Sequence, residues 1–327
     1  MRQSVLLALL ILGAGARSGL SGQEPALDMR PPMEIPFAQL RPDAIISVAL
    51  EAGAVVTPDA IWTPNRTLGT VVRINPAANA ADPPVAAGMG PCATLAFAFD
   101  SLWVPLCGAG AIARIDPKAG TVLASLPLRV ADSEGSIATG VGSIWAITDR
   151  KGVLARIDPD TNLAVAEAFV AADAAAAAFD DNTVWVTSEK DGLLTRIDAH
   201  TNLVMETVKV GPRPGRLAVG EGAVWTLNRG DGSVTRVDAK TNKVVKTIAL
   251  GLPIAGGEIA VGEGSVWVSA AGVPITRIDP RTNRVTHRFT GDGGGAIVAG
   301  HGSLWVAAGP AITWRLDPQL VSTMRPD

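Results

Sequence analysis

The sequence predicts an all-β fold, a seven-bladed β-propeller of four-stranded antiparallel blades with the ring closed by an N-terminal strand in the last blade. Three observations carry that prediction. Tryptophans at 62, 103, 145, 185, 225, 267 and 305 are spaced 41, 42, 40, 40, 42 and 38 residues apart, so a unit of about 40 residues occurs seven times. Arginines at 73, 114, 156, 196, 236, 277 and 315 follow their tryptophans by 10 or 11 residues, inside Arg-Ile-Asn-Pro, Arg-Ile-Asp-Pro, Arg-Val-Asp or Arg-Leu-Asp. Within a unit, strand-like runs alternate with turn chemistry, which excludes a helical solenoid.

Taken in chain order, residues 1–22 read as a signal peptide and its flank. Arg2 is a short basic region, Val5 to Ile11 an apolar one, and Ala14-Gly15-Ala16 a small-residue cleavage site. The plain alternative is a frayed apolar strand. Cleavage removing Arg2 and Arg17 takes the net charge from −3 to about −5. No cysteine lies near the cut for a lipid anchor. Residues 23–43, rich in proline, read as an extended lead-in, and residues 44–327 as the propeller.

One unit, Arg216 to Leu250, shows the pattern. Strands are expected at Arg216–Val219, Ala223–Leu227, Ser233–Val237 and Lys243–Leu250, separated by Gly220-Glu221-Gly222, Asn228 to Gly232, and Asp238 to Asn242. The last unit has three strands and little chain for a fourth, while Ala44–Leu50 parallels Val244–Leu250 and is free to complete it. That closure leaves no open edge in the ring. The alanines from Ala164 to Ala178 favour helix by propensity, but the phase of Trp185 and Arg196 demands strands.

These units, such as Gly262-Glu-Gly-Ser-Val-Trp267 and Thr276-Arg-Ile-Asp-Pro-Arg-Thr-Asn283, resemble the YVTN-type seven-bladed propeller repeat family, which includes virginiamycin B lyase-like propellers. The resemblance spans about Ala44 to Pro318. It implies the fold; a lyase-like activity would imply a magnesium site with a histidine and a glutamate on one face, and no motif here matches one. Such propellers host enzymes, binders and scaffolds alike.

Composition narrows the partners. The chain is 47% hydrophobic and 18% charged, ample for a large core. Its longest clean apolar run, Val5 to Ala16, is 12 residues, short of the roughly 20 of a spanning helix. A net charge of −3 disfavours nucleic acid, although Arg66, Arg150, Lys151, Lys190, Arg213 and Arg229 could form a local basic patch. The expectation is an exported monomer, periplasmic or extracellular.

The repeated tryptophans, flanked by Ile, Val, Ala or Leu, read as core between blades. The repeated Asp of Arg-Ile-Asp-Pro-x-Thr-Asn reads as a turn former accepting backbone N–H bonds. Trp314 is out of phase and has no assigned role. Cys92 and Cys107 lie about equally far from a turn near Phe99-Asp100, so they face one another across a hairpin and a disulfide is expected.

In a propeller the loops entering the innermost strand, and those joining the second and third strands, gather at one mouth. Four residues after each tryptophan stand Arg66, Cys107, Asp149, Glu189, Arg229, Ala271 and Gly309; nine before stand Gly53, Thr94, Ser136, Ala176, Arg216, Glu258 and Ala296. The candidate ligand-binding residues are Arg66, Glu134, Asp149, Glu189, Arg216, Asn228, Arg229 and Glu258. Arg66, Arg216 and Arg229 would hold an anionic or polar ligand, while Glu134, Glu189 and Glu258 orient it or bind a hard divalent cation as cofactor. The bland reading is a set of solvated, partly paired loop charges. His200, His287 and His301 fall away from this mouth, so histidine acid–base chemistry is not expected. The expected function is binding of a small polar or anionic ligand, or of a protein partner; the alternative is a metal-assisted lyase or lactonase using the mouth carboxylates.

Overall fold

The structure, a computed structural model, describes residues 31–92, 94–131 and 135–326. The signal-peptide segment lies outside the described residues, as does Glu134. Seven antiparallel sheets follow the sequence phase, numbered here as blades 1 to 7 in chain order. Blade 5 is representative: Pro214–Gly220, Ala223–Asn228, Ser233–Asp238 and Lys243–Ala249 pair in succession. The alanine-rich passage is strand, Leu163–Phe169 ending blade 3 and Ala174–Asp180 opening blade 4. Ala174 to Ala177 are buried where blades converge, a place with room for little more than a methyl group.

Closure follows from a strand that precedes blade 1. Ala44–Ile46 pairs antiparallel with Ile312–Leu316, placing Ala44 opposite Arg315 and Ile46 opposite Thr313. The strand is shorter than the expected Ala44–Leu50, yet Thr313 Oγ1 still donates to the Val48 carbonyl at 2.7 Å. In blade 1 the outer strand is broken into Ala80–Ala81 and Val85–Ala86, because Pro83-Pro84 cannot donate to the ladder.

The seven phased tryptophans are 0–1% exposed and pack between sheets. The phased arginines form the device that links blades. Arg114, Arg156, Arg196, Arg236 and Arg315 lie over Trp103, Trp145, Trp185, Trp225 and Trp305, with guanidinium carbons 5.0–5.5 Å from the rings. Each then donates through Nη1 to an asparagine of the next blade's third turn: Asn162, Asn202, Asn242, Asn283 and Asn79, at 2.8–3.2 Å. Those asparagines have φ of 51–62°, the left-handed conformation that asparagine tolerates better than most residues. One residue therefore supplies both the turn and the acceptor. The turn aspartates act as expected. Asp116, Asp198 and Asp238 each accept backbone N–H bonds from two and three residues on, and those bonds hold their carboxyls below the usual carboxylate range.

Two seams lack this clamp, for legible reasons. Blade 2 carries Gly120 where its siblings carry asparagine, so Arg73 of blade 1 turns instead to Asp82 at 2.7 Å and Asp59 at 3.0 Å. Blade 7 has no third turn, since its fourth strand comes from the N-terminus, and Arg277 of blade 6 stays on its own blade with Thr286 and Ser265. The blade 6–7 seam is covered in another way. Part of the lead-in, Met33–Pro36, adds as a parallel fifth strand to Arg284–Thr290 of blade 6, with Glu34 ion-paired to Arg288. Beyond it, Phe37 stacks on Trp314 at 4.6 Å between ring centres, which assigns the out-of-phase tryptophan. Ile35, Phe37, Leu40, Val321 of the helix Pro318–Thr323, and blade 7 residues Leu304 and Leu316 form one buried cluster. Part of the segment read from the sequence as an extended lead-in thus works as a strap across the seam.

Candidate functional site

The inner strands of all seven blades line a central channel of about 310 Å³. Among the described residues that line it, only Thr94, Thr139, Arg216 and Glu258 carry polar side chains. Arg216 begins the inner wall of blade 5 and is 2% exposed. Its Nη1 donates to Thr94 Oγ1 of blade 2 at 2.9 Å and stands 3.5 Å from Glu258 Oε2 of blade 6. The same carboxylate oxygen accepts the Gly53 N–H of blade 1 at 2.9 Å. Four blades are therefore tied through one buried ion pair; at such depth the loss of either partner costs about 3–5 kcal/mol, mostly for stranding the other charge.

A second cluster occupies the turns of blades 3 to 5. Glu189 lies between two cations, with Oε1 3.7 Å from Arg229 Nη1 and Oε2 3.6 Å from Arg150 Nη2. Arg150 also contacts Asp173 Oδ1 at 2.5 Å. Backbone bonds hold the cluster in place: the Glu189 N–H donates to the Asp173 carbonyl and the Asp173 N–H to that of Arg150. Gly215 lets the Arg229 guanidinium lie against the blade 5 backbone, since a Cβ there would stand 2.4 Å from Arg229 Nε and the side chain would have to shift. Arg66 is the outlying member, near Glu51 at 3.8 Å and half in solvent.

Two candidates have other employment. Asn228 is fully buried; it accepts from Thr226 Oγ1 at 2.9 Å and donates to Ser233 and Thr235 at 3.0 and 2.9 Å, which locks the hairpin from within and aims nothing at the channel. Asp149 is exposed and caps its own turn by accepting the Lys151 N–H at 2.8 Å. Cys92 and Cys107 form a disulfide, Cα atoms 5.7 Å apart, two residues before Thr94 in the chain. Glu189 and Glu258 have separate sets of partners, and among the described residues no three His, Cys, Asp or Glu come together as a metal-binding group.

Arg66, Arg216 and Arg229 each face a carboxylate, so the cations meant for an anion are already largely neutralised. That pairing needed tertiary contacts between blades. Glu51, Thr94, Arg150 and Asp173 were not among the expected site residues; Thr94 does stand in the series nine before tryptophan, which was the available signal. Turn charge is also uneven around the mouth. Blades 3 to 5 present Asp149-Arg-Lys, Glu189-Lys-Asp and Arg229-Gly-Asp, whereas blades 2, 6 and 7 present Cys107-Gly-Ala-Gly, Ala271-Gly and Gly309-Pro-Ala.

No protein-family model matches the chain, and no curated protein matches it. Solved structures do. A catalytically inactive virginiamycin B lyase from Staphylococcus aureus, crystallised with quinupristin, is similar with a TM-score of 0.66 and 18% identity, over 82% of this chain and 95% of that one. A chain of the mitotic checkpoint complex gives 0.67 at 12% identity over 85% and 94%. The computationally designed Ika8 protein gives 0.61 at 13% over 83% and 99%. At these identities the likeness establishes the propeller fold. No helix among the described residues is long and apolar enough to cross a membrane.

Proposed function

We propose that this chain binds a small polar ligand at the mouth of its central channel, with Arg216 and Glu258 as the recognising pair and Thr94 beside them. The observation that carries the reading is the burial of a 3.5 Å Arg–Glu pair on the wall of an otherwise mostly apolar channel. A few placed polar groups in an apolar concavity are the usual make-up of a small-molecule site. The neutralised arginines favour an uncharged or zwitterionic ligand over an anion. The disulfide supports an oxidising, exported setting, periplasmic or extracellular.

The test is calorimetric titration of the purified protein with a panel of polar metabolite-sized compounds, compared with the double variant Arg216→Met/Glu258→Gln. Removing both charges together avoids stranding one of them. Binding by the parent that weakens at least tenfold in the double variant, with unchanged melting, supports the site; unaltered binding refutes it. Metal analysis of the same sample addresses the enzymatic alternative. A stoichiometric divalent ion lost on Glu189→Gln or Glu258→Gln would favour a lyase or lactonase.

A further inference from the structure

The outer rim of the ring shows how one of its sheets takes a further strand. Met33–Pro36 runs parallel to Arg284–Thr290 of blade 6, with Met33 opposite His287, Glu34 opposite Arg288, Ile35 opposite Phe289 and Pro36 opposite Thr290. Repeat phase carries that register to the other blades. His287 faces Arg277 of its third strand as Ala166 faces Arg156 in blade 3, so Ala166, Glu167, Ala168 and Phe169 match the four docked positions of blade 6. The bulge beside Arg277 recurs beside Arg156 and is no bar to addition.

An exposed outer strand offers unpaired backbone groups to any extended segment, and proteins blunt such edges with proline, lysine, short strands or a cover. Blade 1 has Pro83-Pro84, blade 2 has Pro127 at the fourth docking position, blade 4 has Lys209 there, and blade 5 has Lys246 at the first. Blade 6 is covered, and the donated strand of blade 7 is three residues long. Leu163–Phe169 of blade 3 has none of these devices. It runs for seven residues without Pro, Lys or Arg, and Leu163, Val165 and Phe169 are 64%, 56% and 68% exposed. Among the described residues no strand lies beyond it, and its single charge, Glu167, forms no ion pair. Glu167 stands where Arg288 meets Glu34 on blade 6, so the charge awaiting a partner has the opposite sign.

We propose that the outer strand of blade 3 is a docking edge for a protein partner. The partner adds an extended segment as a parallel fifth strand, with a lysine or arginine opposite Glu167 and apolar residues on either side of it, as Met33 and Ile35 flank Glu34. Ladder hydrogen bonds supply the affinity, and the cross-strand charge pair selects the segment. This edge lies on the outer rim and does not depend on the channel site.

The probe is a labelled, end-blocked peptide, Thr-Val-Arg-Ile-Val-Thr, titrated into the purified protein by fluorescence anisotropy. Two companions are the same peptide with Glu in place of Arg, and the Arg peptide with the nitrogens of its four central residues methylated to remove the ladder donors. The Arg peptide should bind about threefold or more tightly than the Glu peptide, and the methylated one should not bind. Glu167→Lys, an exposed substitution checked by melting, should reverse the order of the first two. Hydrogen exchange should slow at Leu163–Phe169 when the Arg peptide is added and stay unchanged at Arg284–Thr290, whose edge is already filled. No binding of the Arg peptide, binding that survives methylation, an order unmoved by Glu167→Lys, or protection confined to another strand overturns the proposal. So does exchange at Leu163–Phe169 that slows with protein concentration alone, which gives the edge to a second copy of this chain.

Discussion

Arg315 of the last blade donates to Asn79 Oδ1 of the first at 2.8 Å, and to the Pro76 carbonyl at 2.7 Å, so the ring is sealed by the same arginine–asparagine clamp that joins its interior blades. The strand Ala44–Ile46 closes blade 7 as a sheet; Arg315 closes blade 7 onto blade 1.

Arg315→Ala should therefore act as a ring-opening substitution. It removes the contact over Trp305, the bond to Ser303 and both bonds to blade 1. A loss of roughly 2–4 kcal/mol in urea unfolding is expected. Arg73→Ala, which breaks pairs within blade 1 that are partly in solvent, should cost about 1 kcal/mol or less. Equal losses would show that the clamp has no special part in closure.

The strap makes its own prediction. Phe37→Ala removes a 4%-exposed ring stacked on Trp314, and a loss of about 3 kcal/mol is expected. Hydrogen exchange should then rise along Arg284–Thr290 more than along Lys243–Ala249, because only the former has Met33–Pro36 as its outer partner. Uniform exchange across both strands would contradict the strap.

His287 sits under that strap, 3% exposed, and burial pushes its pKa below the ordinary value near 6.5, with Arg277 and Arg325 adding repulsion. The unfolded chain takes up this proton at a higher pH than the folded one, so the stability it contributes is present above about pH 6.5 and is lost as pH falls through the depressed value. Urea midpoints should decline in that window for the parent and stay flatter for His287→Gln. A second decline, from the lowered pKa values of Asp116, Asp198 and Asp238, belongs below about pH 4.

Reduction of Cys92–Cys107, or Cys92→Ser/Cys107→Ser, releases a 15-residue closure and should cost about 3 kcal/mol. Because Thr94 follows the bridge by two residues, any ligand found for the mouth should also bind more weakly after reduction. Calorimetry with and without reductant checks both effects.

Blade number, strand order and even the donated closing strand were legible because each rests on short-range signals: tryptophan phase, turn residues, and a missing fourth strand balanced by a spare one. The disulfide was legible for the same reason, its hairpin being local. The strap was not, since Met33–Pro36 pairs with a strand some 250 residues away and carries no repeat phase to announce it. Asn228 shows the limit within a single hairpin, where burial and three hydroxyl partners, and not residue type, decide what an amide does.

What the amino-acid order by itself determined was the repeating unit and hence the ring, since periodicity and turn chemistry are properties of neighbours along the chain. Which charges meet was decided only by the closed ring. Arg216, Glu258, Thr94 and Gly53 come from four blades, and whether an arginine awaits a ligand or already faces a carboxylate depends on distances across a channel that exists only once the sheets have assembled.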